Sequence, residues 1–116
     1  MNKNGIKVTT MNEPVCYKLF IDDERFPLDT SSVVVRSSKE AIDYVKLQGV
    51  PCHIDFDHDL GGEDTSMVFI KWFIEMLLDG DIKLPDSFTY AVHSQNPVGV
   101  INIKAKMDGI INYLKN

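Results

Sequence analysis

The stretch CHIDFDHDLGG at residues 52–62 decides the fold, because an apolar strand runs directly into polar residues and a glycine pair. The pattern over 52–56 predicts a buried strand, and Asp57-His58-Asp59 follows it without a spacer. Gly61-Gly62 lets the backbone approach a ligand closely. A strand that ends in this way, followed by a helix, is typical of an α/β fold with its functional groups at the strand ends.

Strands and helices alternate outward from this stretch in both directions. A first helix is expected between the N-cap Ser37, which forms a capping box with Glu40, and the stop signal Gly49. Few residues, Pro27 among them, separate the first two strands, so we expect a loop or one turn there rather than a helix. The alternation predicts a parallel sheet with helical layers. The predicted strands are 17–21, 32–36, 52–56 and 88–92, and the later helices are 65–79 and 98–115.

Composition limits the function classes. The chain has 116 residues, a formal net charge of -5 and 44% hydrophobic residues, which fits one ordinary globular domain. The acidic balance disfavours binding to duplex nucleic acid, which requires clustered lysine and arginine. Cys16 and Cys52 are too few for a disulfide framework, and we expect them to be buried thiols. No signal peptide or membrane-spanning run is visible, so we expect a soluble protein in the cytoplasm with no membrane contact.

Three polar clusters follow three of the predicted strands. Asp22-Asp23-Glu24-Arg25 follows the first strand, Asp57-His58-Asp59 the third and His93-Ser94-Gln95-Asn96 the fourth. Parallel strands place their carboxyl ends at one edge of a sheet, where open α/β sheets bind ligands. The clusters are therefore expected to converge. Each also has a structural interpretation, as a solvated loop or a hydrogen-bonded histidine, and His53 near the start of its strand is expected to point away from the site.

Several chemistries are open to such a site. Asp22, Asp23 and Asp57 could hold Mg²⁺, which prefers oxygen ligands. Asp57 could instead be a nucleophile or phosphoacceptor. His58 and His93 could act as an acid and base pair on either side of a phosphate, because imidazole titrates near neutral pH. Zinc is disfavoured, since neither a CxxC nor an HExxH motif is present.

Three motifs resemble the cyclic-phosphate-processing receiver-like family, a derivative of the receiver domains of two-component signalling. The resemblance covers about residues 17 to 115 and implies a shortened receiver-like fold of the flavodoxin type. This fold is an α/β three-layer sandwich with a parallel sheet of order 2-1-3-4. We expect one such domain over 15–116, preceded by an extension, 1–14, that holds either an additional edge strand or a frayed tail. The motifs are LFIDDERFP at 19–27, FDHDLG at 56–61 and HSQNPVG at 93–99.

The resemblance also implies roles for individual residues. Asp22 and Asp23 match the acidic pair that holds Mg²⁺ in a receiver, Asp57 matches the phosphoacceptor, and Ser94 matches the switch residue after strand four. A receiver also has a fifth strand that ends in a lysine, which this chain lacks, so a working phosphorelay receiver is not expected. His58 and His93, which ordinary receivers do not carry, fit a change towards phosphate chemistry.

The resulting hypothesis is a small phosphoesterase that acts on cyclic phosphates of nucleotides or RNA ends, in a conflict or nucleotide-signal system. His58, His93 and Asp57 would be catalytic, and Mg²⁺ is the only cofactor expected. The alternative is a non-catalytic receiver-like module that binds a phosphorylated signal or a protein partner. The expected ligand is a small phosphorylated compound or cyclic nucleotide, bound by the Arg25 guanidinium and by groups on Ser94, Asn96 and Gly99 at the start of the last helix.

Overall fold

The computed structural model describes residues 16–116, with a four-stranded parallel sheet at the centre. The strand order is β2-β1-β3-β4. The predicted receiver-like α/β fold and its sheet order are therefore confirmed, whereas the predicted extension and its edge strand lie outside the described residues. The elements are β1 Lys18–Ile21, β2 Val33–Val35, α1 Ser38–Gln48, β3 His53–Phe56, α2 Ser66–Asp79, β4 Thr89–Val92 and α3 Pro97–Lys115.

The three helices pack against one face of the sheet. Both the β2-to-β3 and the β3-to-β4 connections run in the same direction across the sheet, so right-handed crossovers place α1 and α2 on the same side. α2 contacts α1 on one flank and α3 on the other. Apolar residues of all three helices form one core with alternate strand residues, namely Leu19, Ile21, Ile54 and Phe56.

The other face of the sheet has no helix among residues 16–116. Consecutive strand residues point to opposite faces, so this face carries Lys18, Phe20, His53 and Asp55. The loop 22–32 lies between β1 and β2 where a full receiver would have a helix, and residues 16–116 contain no fifth strand that could return a helix to this side. The third layer of the predicted sandwich is thus not formed by the described part of the chain, which has two layers.

The helix boundaries follow the local sequence signals. Ser37 accepts a hydrogen bond from the Glu40 amide at 3.1 Å, as expected of the capping box. The Glu40 carboxylate accepts from the Arg36 amide at 2.7 Å rather than from Ser37, so the reciprocal half of the box is displaced by one residue. Thr65 caps α2 and Asn96 caps α3. Within residues 16–116, no helix combines the length and apolarity needed to cross a membrane.

Cys16 and Cys52 form a disulfide bond, so the prediction of two buried thiols is wrong. Cys16 is exposed shortly before β1, and Cys52 directly precedes β3. These two strands are parallel neighbours that pair Lys18 with His53, and the Cys52 amide donates to the Tyr17 carbonyl at 2.9 Å. Strand pairing therefore brings the two sulfur atoms together, a long-range effect that residue-type burial trends do not capture.

Candidate functional site

The three polar clusters converge at the carboxyl edge of the sheet. Asp22, Asp57 and His93 are the first residues after β1, β3 and β4. The sheet extends past the strands here, because the Asp57 amide donates to the Ile21 carbonyl and the His93 amide to the Phe56 carbonyl, both at 2.9 Å. One ligand atom from each of Asp22, Asp57 and His93 lies within 4.8 Å of the others. We call these three residues the edge cluster.

Asp22 is fully buried, and every oxygen of its carboxylate has a partner. Oδ1 accepts from the amides of Glu24 and Arg25, each at 2.8 Å. Oδ2 lies 2.8 Å from His93 Nε2 and 3.6 Å from Arg25 Nε. Burial alone would raise the pKa of Asp22, but the two backbone hydrogen bonds and the contact with His93 outweigh burial and lower it. Asp22 is therefore an anion that also shapes the loop after β1.

His93 is held between two carboxylates. Its Nε2 faces Asp22, and its Nδ1 lies 2.5 Å from Asp55 Oδ1. The ring stacks on Phe20, with the centroids 4.7 Å apart and the planes at 5°. Burial disfavours the charged ring, but the hydrogen bonds and charges of Asp55 and Asp22 outweigh burial and raise the pKa of His93. The imidazole is therefore oriented by two carboxylates that favour its protonated form.

Asp57 differs from Asp22 in its electrostatics. Its side chain is buried, and Oδ1 accepts from the His58 amide at 2.8 Å. Burial and the neighbouring charge of Asp22 raise the pKa of Asp57, against opposing hydrogen bonds from Ser94 and His58. The two carboxylates of the edge cluster thus have pKa values shifted in opposite directions, a pattern common where one carboxylate accepts protons and another provides fixed charge.

His58 is not part of the edge cluster. Its Nδ1 lies 3.0 Å from Asp59 Oδ1, and its ring packs against the first turn of α3. A Cβ on Gly99 would lie only 2.4 Å from His58 Cγ, so glycine is needed for this close approach. Asn96 accepts from the Gly99 amide at 3.0 Å and donates to Asp59 at 3.3 Å. The Gly99 amide, which the sequence predicted to bind substrate, is therefore already engaged by the helix cap.

The donors of the edge cluster suit a divalent cation. Two carboxylates supply the hard oxygens that Mg²⁺ prefers, and one ligand atom from each of Asp22, Asp57 and His93 lies within 4.8 Å of the others. Asp23, a predicted Mg²⁺ ligand, is not among the three. A Cβ on Gly61 would lie 3.3 Å from Asp23 Oδ2, so this carboxylate faces the loop after β3.

Arg25 reaches the edge cluster, as expected of a substrate-binding residue at this edge. Besides its contact with Asp22, it donates from a terminal nitrogen to the His93 carbonyl at 3.4 Å. Its own carbonyl accepts from Arg36 at 2.6 Å, and Arg36 also donates to the Asp22 carbonyl at 3.0 Å. Arg36 therefore holds the loop that carries both Asp22 and Arg25. Ser94 accepts from the Asn96 amide at 3.1 Å.

Sequence reasoning missed Asp55, Phe20 and Arg36. The alternation His53-Ile54-Asp55-Phe56 carried a signal for Asp55, because a polar residue at every second position of a strand indicates a face that is not packed in the core. Phe20 had no such signal, since an apolar residue in a central strand is expected to face the core. Arg36, the residue after β2, had no sequence signal either, because its role depends on hydrogen bonds to the Asp22 and Arg25 carbonyls that only the folded loop 22–32 provides.

A receiver-like domain with an acidic and histidine centre at its carboxyl edge is the class of protein that the fold and the site define. The chain belongs to the cyclic-phosphate processing receiver domain family, whose model matches residues 17–109. Comparison with curated proteins found no match, and comparison with solved structures found none either. The resemblance drawn from the sequence is confirmed, and the family description indicates a part in cyclic-phosphate processing.

Proposed function

We propose that this domain is a small phosphoesterase that hydrolyses cyclic phosphates of nucleotides or RNA ends. The observation that carries the proposal is the position of His93, fixed between Asp22 and Asp55 and within reach of Asp57. An oriented imidazole with a raised pKa, beside a buried carboxylate with a raised pKa, provides an acid and a base in one small site. The family description supports a cyclic phosphate as the substrate.

In the proposed reaction, water attacks phosphorus and one ring P–O bond breaks. Asp57 accepts a proton from the attacking water, and His93 donates the Nε2 proton to the leaving ribose oxygen, so that a phosphomonoester and a free hydroxyl result. The Arg25 guanidinium lies at the same edge and stabilises charge on the phosphoryl oxygens. Asp22 and Asp57 would hold Mg²⁺. The bound ion would add Lewis-acid stabilisation of the phosphoryl charge.

His58 was expected to be the second member of a histidine pair. It contacts Asp59 in the loop after β3 and Gly99 in the first turn of α3, and the base role is assigned to Asp57 in this proposal. Comparison of the two histidines tests this choice. His93→Gln should lower kcat by about 100- to 10,000-fold, the usual range for loss of a general acid. His58→Gln should lower it far less, and equal losses would restore the paired-histidine mechanism.

The experiment uses 2′,3′-cyclic nucleotides between pH 5 and 9, with Mg²⁺ and with EDTA. Asp57→Asn should abolish turnover, and the matched control Asp43→Asn should not. Asp43 is a solvent-facing carboxylate on α1 whose partner is Lys39 at 2.6 Å. Unchanged turnover in EDTA would remove Mg²⁺ from the proposal.

The alternative function, a module that binds a phosphorylated signal or a protein partner without reacting, is tested in the same assay. Its support is that Asp22, His93 and the Gly99 amide are already satisfied by partners within the protein. Saturable binding of a cyclic nucleotide with no product at any pH would favour this module over the phosphoesterase.

A further inference from the structure

The face of the sheet without a helix carries a groove that runs away from the edge cluster. The groove encloses about 400 Å³, within the range of small-ligand sites. Its floor is set by strand pairing: Phe20 lies opposite Asp55, and Lys18 lies opposite His53. His53, expected from sequence to point away from the site, therefore shares this face.

The groove and the edge cluster share His93. Arg25, Asp55 and His93 line the groove, and the same three contact one another or Asp22 in the site. A ligand with its phosphate at the edge cluster would therefore place its remaining atoms on the floor of the groove. Lys18, at the start of β1, and Asp29 also line the groove, and they form an ion pair at 2.8 Å.

One wall of the groove is unusually apolar for an exposed loop. Phe26 is 78% exposed and Leu28 is fully exposed. The Arg36 guanidinium lies over one face of the Phe26 ring, 4.6 Å from its centroid, in a cation–π contact. The opposite face of the ring remains available to a ligand. An exposed aromatic ring held at the rim of a polar site is a typical platform for a planar ligand.

We infer that this groove binds the nucleoside part of the substrate, with the base stacked on the free face of Phe26. The inference rests on the proposed function, because it places the cyclic phosphate at the edge cluster. Bases stack on aromatic side chains and use polar neighbours for hydrogen bonds at their edges. Ser32, Asp55 and His53 supply such neighbours along the groove. The volume of about 400 Å³ predicts that one nucleoside is bound and that a preceding nucleotide is not.

The test compares adenosine 2′,3′-cyclic phosphate with methyl riboside 2,3-cyclic phosphate, which keeps the reacting ring and lacks the base. The wild type should prefer the nucleotide in kcat/KM by about 10- to 100-fold, the range that base stacking provides. Phe26→Ala should remove the preference, and Phe26→Trp should keep it. The matched control is Tyr113→Ala, which removes an exposed aromatic side chain on α3 outside the groove. This substitution should change kcat/KM for neither compound.

Two results would overturn the inference even if both compounds are hydrolysed. One is equal kcat/KM for the two compounds in the wild type. The other is an equal loss for both in Phe26→Ala, which would mean that Phe26 supports the loop rather than a base. A trinucleotide that ends in a 2′,3′-cyclic phosphate should have the same KM as the mononucleotide, and a KM about 100-fold lower would overturn the assignment of a single nucleoside.

A binding measurement distinguishes failure of the proposed function from failure of the groove assignment. Calorimetric titration with adenosine 3′-phosphate and with methyl riboside 3-phosphate needs no turnover. The protein could bind the nucleotide more tightly, lose this preference in Phe26→Ala and yet show no hydrolase activity. That result would support the assignment of the groove to a nucleoside and reject the phosphoesterase. Failure of the protein to bind either compound, or equal binding of both, would overturn the groove assignment.

Discussion

At the scale of single residues, the main question is what the two carboxylates around His93 do. Asp22 is buried, and its carboxylate accepts hydrogen bonds from two backbone amides as well as contacting the His93 ring. Asp55 lies on the open face of the sheet, and its carboxylate contacts the same ring. Asp22 therefore anchors the loop and the site together. Asp55 contacts His93, and we interpret it as a positioning residue that also sets the proton affinity of the ring.

Asp55→Asn should lower the pKa of His93, because the Asp55 hydrogen bond is the leading cause that raises it. The ring would then lose its proton at a lower pH than in the wild type. We expect kcat at pH 8 to fall by roughly 10- to 100-fold, as for other partners that orient a functional histidine, and by less at pH 6. NMR titration of the ring protons checks the shift without relying on activity, and an unmoved midpoint would contradict the role of Asp55.

The raised pKa of His93 also predicts how stability depends on pH. A group with a higher pKa in the folded state stabilises fully below its ordinary value, about 6.5, and this contribution is lost as the pH rises through the folded value. At pH 6 the free energy of unfolding of the wild type should be about 1.5–3 kcal/mol larger than that of His93→Gln, because the hydrogen bonds from His93 to Asp22 and Asp55 join charged groups. The gap should narrow at pH 9. Urea denaturation at both pH values measures it, and a gap independent of pH would show that the pKa of His93 is the same in the folded and unfolded states.

At the scale of elements, the start of α3 is where the sequence analysis was both right and incomplete. Asn96 caps the helix and Pro97 occupies its first turn, as predicted from their types. The same cap engages the Gly99 amide, and the His58 ring covers the glycine. The Asn96-Pro97 pattern thus identified the start of the helix. It could not show that the Gly99 amide is already hydrogen-bonded within the protein.

Gly99→Ala should destabilise the domain by about 1–3 kcal/mol, because the new Cβ would meet the His58 ring and force it or the helix to move. Gly109→Ala on the same helix is the matched control. A Cβ there meets no atom within 4 Å, so helix propensity should stabilise the protein by about 0.5–1 kcal/mol. Urea denaturation of both variants gives the comparison, and the same sign of change in both would contradict the packing described for His58.

Periodicity explains why the elements were predictable. Consecutive β-branched residues marked β2, and the apolar spacing of Met67, Ile70, Phe73, Ile74 and Leu77 marked α2. Of these, Ile70, Phe73 and Leu77 are buried, and the stripe also includes Phe69, which the spacing did not identify. Contacts that depend on strand register were not predictable in the same way. The Asp55–His93 contact and the Cys16–Cys52 bond each join residues more than thirty positions apart, and only the assembled sheet determines that they meet.

At the scale of the whole molecule, two features distinguish the described residues: one face of the sheet carries no helix from them, and a disulfide joins the segments before two neighbouring strands. One face of the sheet provides the core, and within residues 16–116 the other face is left for a groove. The disulfide ties the amino ends of β1 and β3, at the end of the sheet opposite the edge cluster. Disulfides are rare in reducing compartments, so the cytoplasmic location remains a prediction that the redox state of these cysteines in cells would test.

Loss of the disulfide should lower the stability of the domain without removing its site. The bond closes a loop with a sequence separation of 36, for which the chain-entropy model gives about 4 kcal/mol. The double variant Cys16→Ser/Cys52→Ser should lose up to about that much in urea denaturation, and the wild type in dithiothreitol should match it. The pKa of His93 should stay the same in both. Equal stability with and without the bond would contradict its structural role.

The disulfide has one more consequence, because the loop 22–32 lies between its two cysteines. A protease that cut within this exposed loop would leave two fragments still joined through sulfur. The nicked protein would migrate as a single band on a non-reducing gel and separate into two bands once reductant is added. Damage to the groove wall would thus go unnoticed on a non-reducing gel, while the wall itself had lost its covalent continuity.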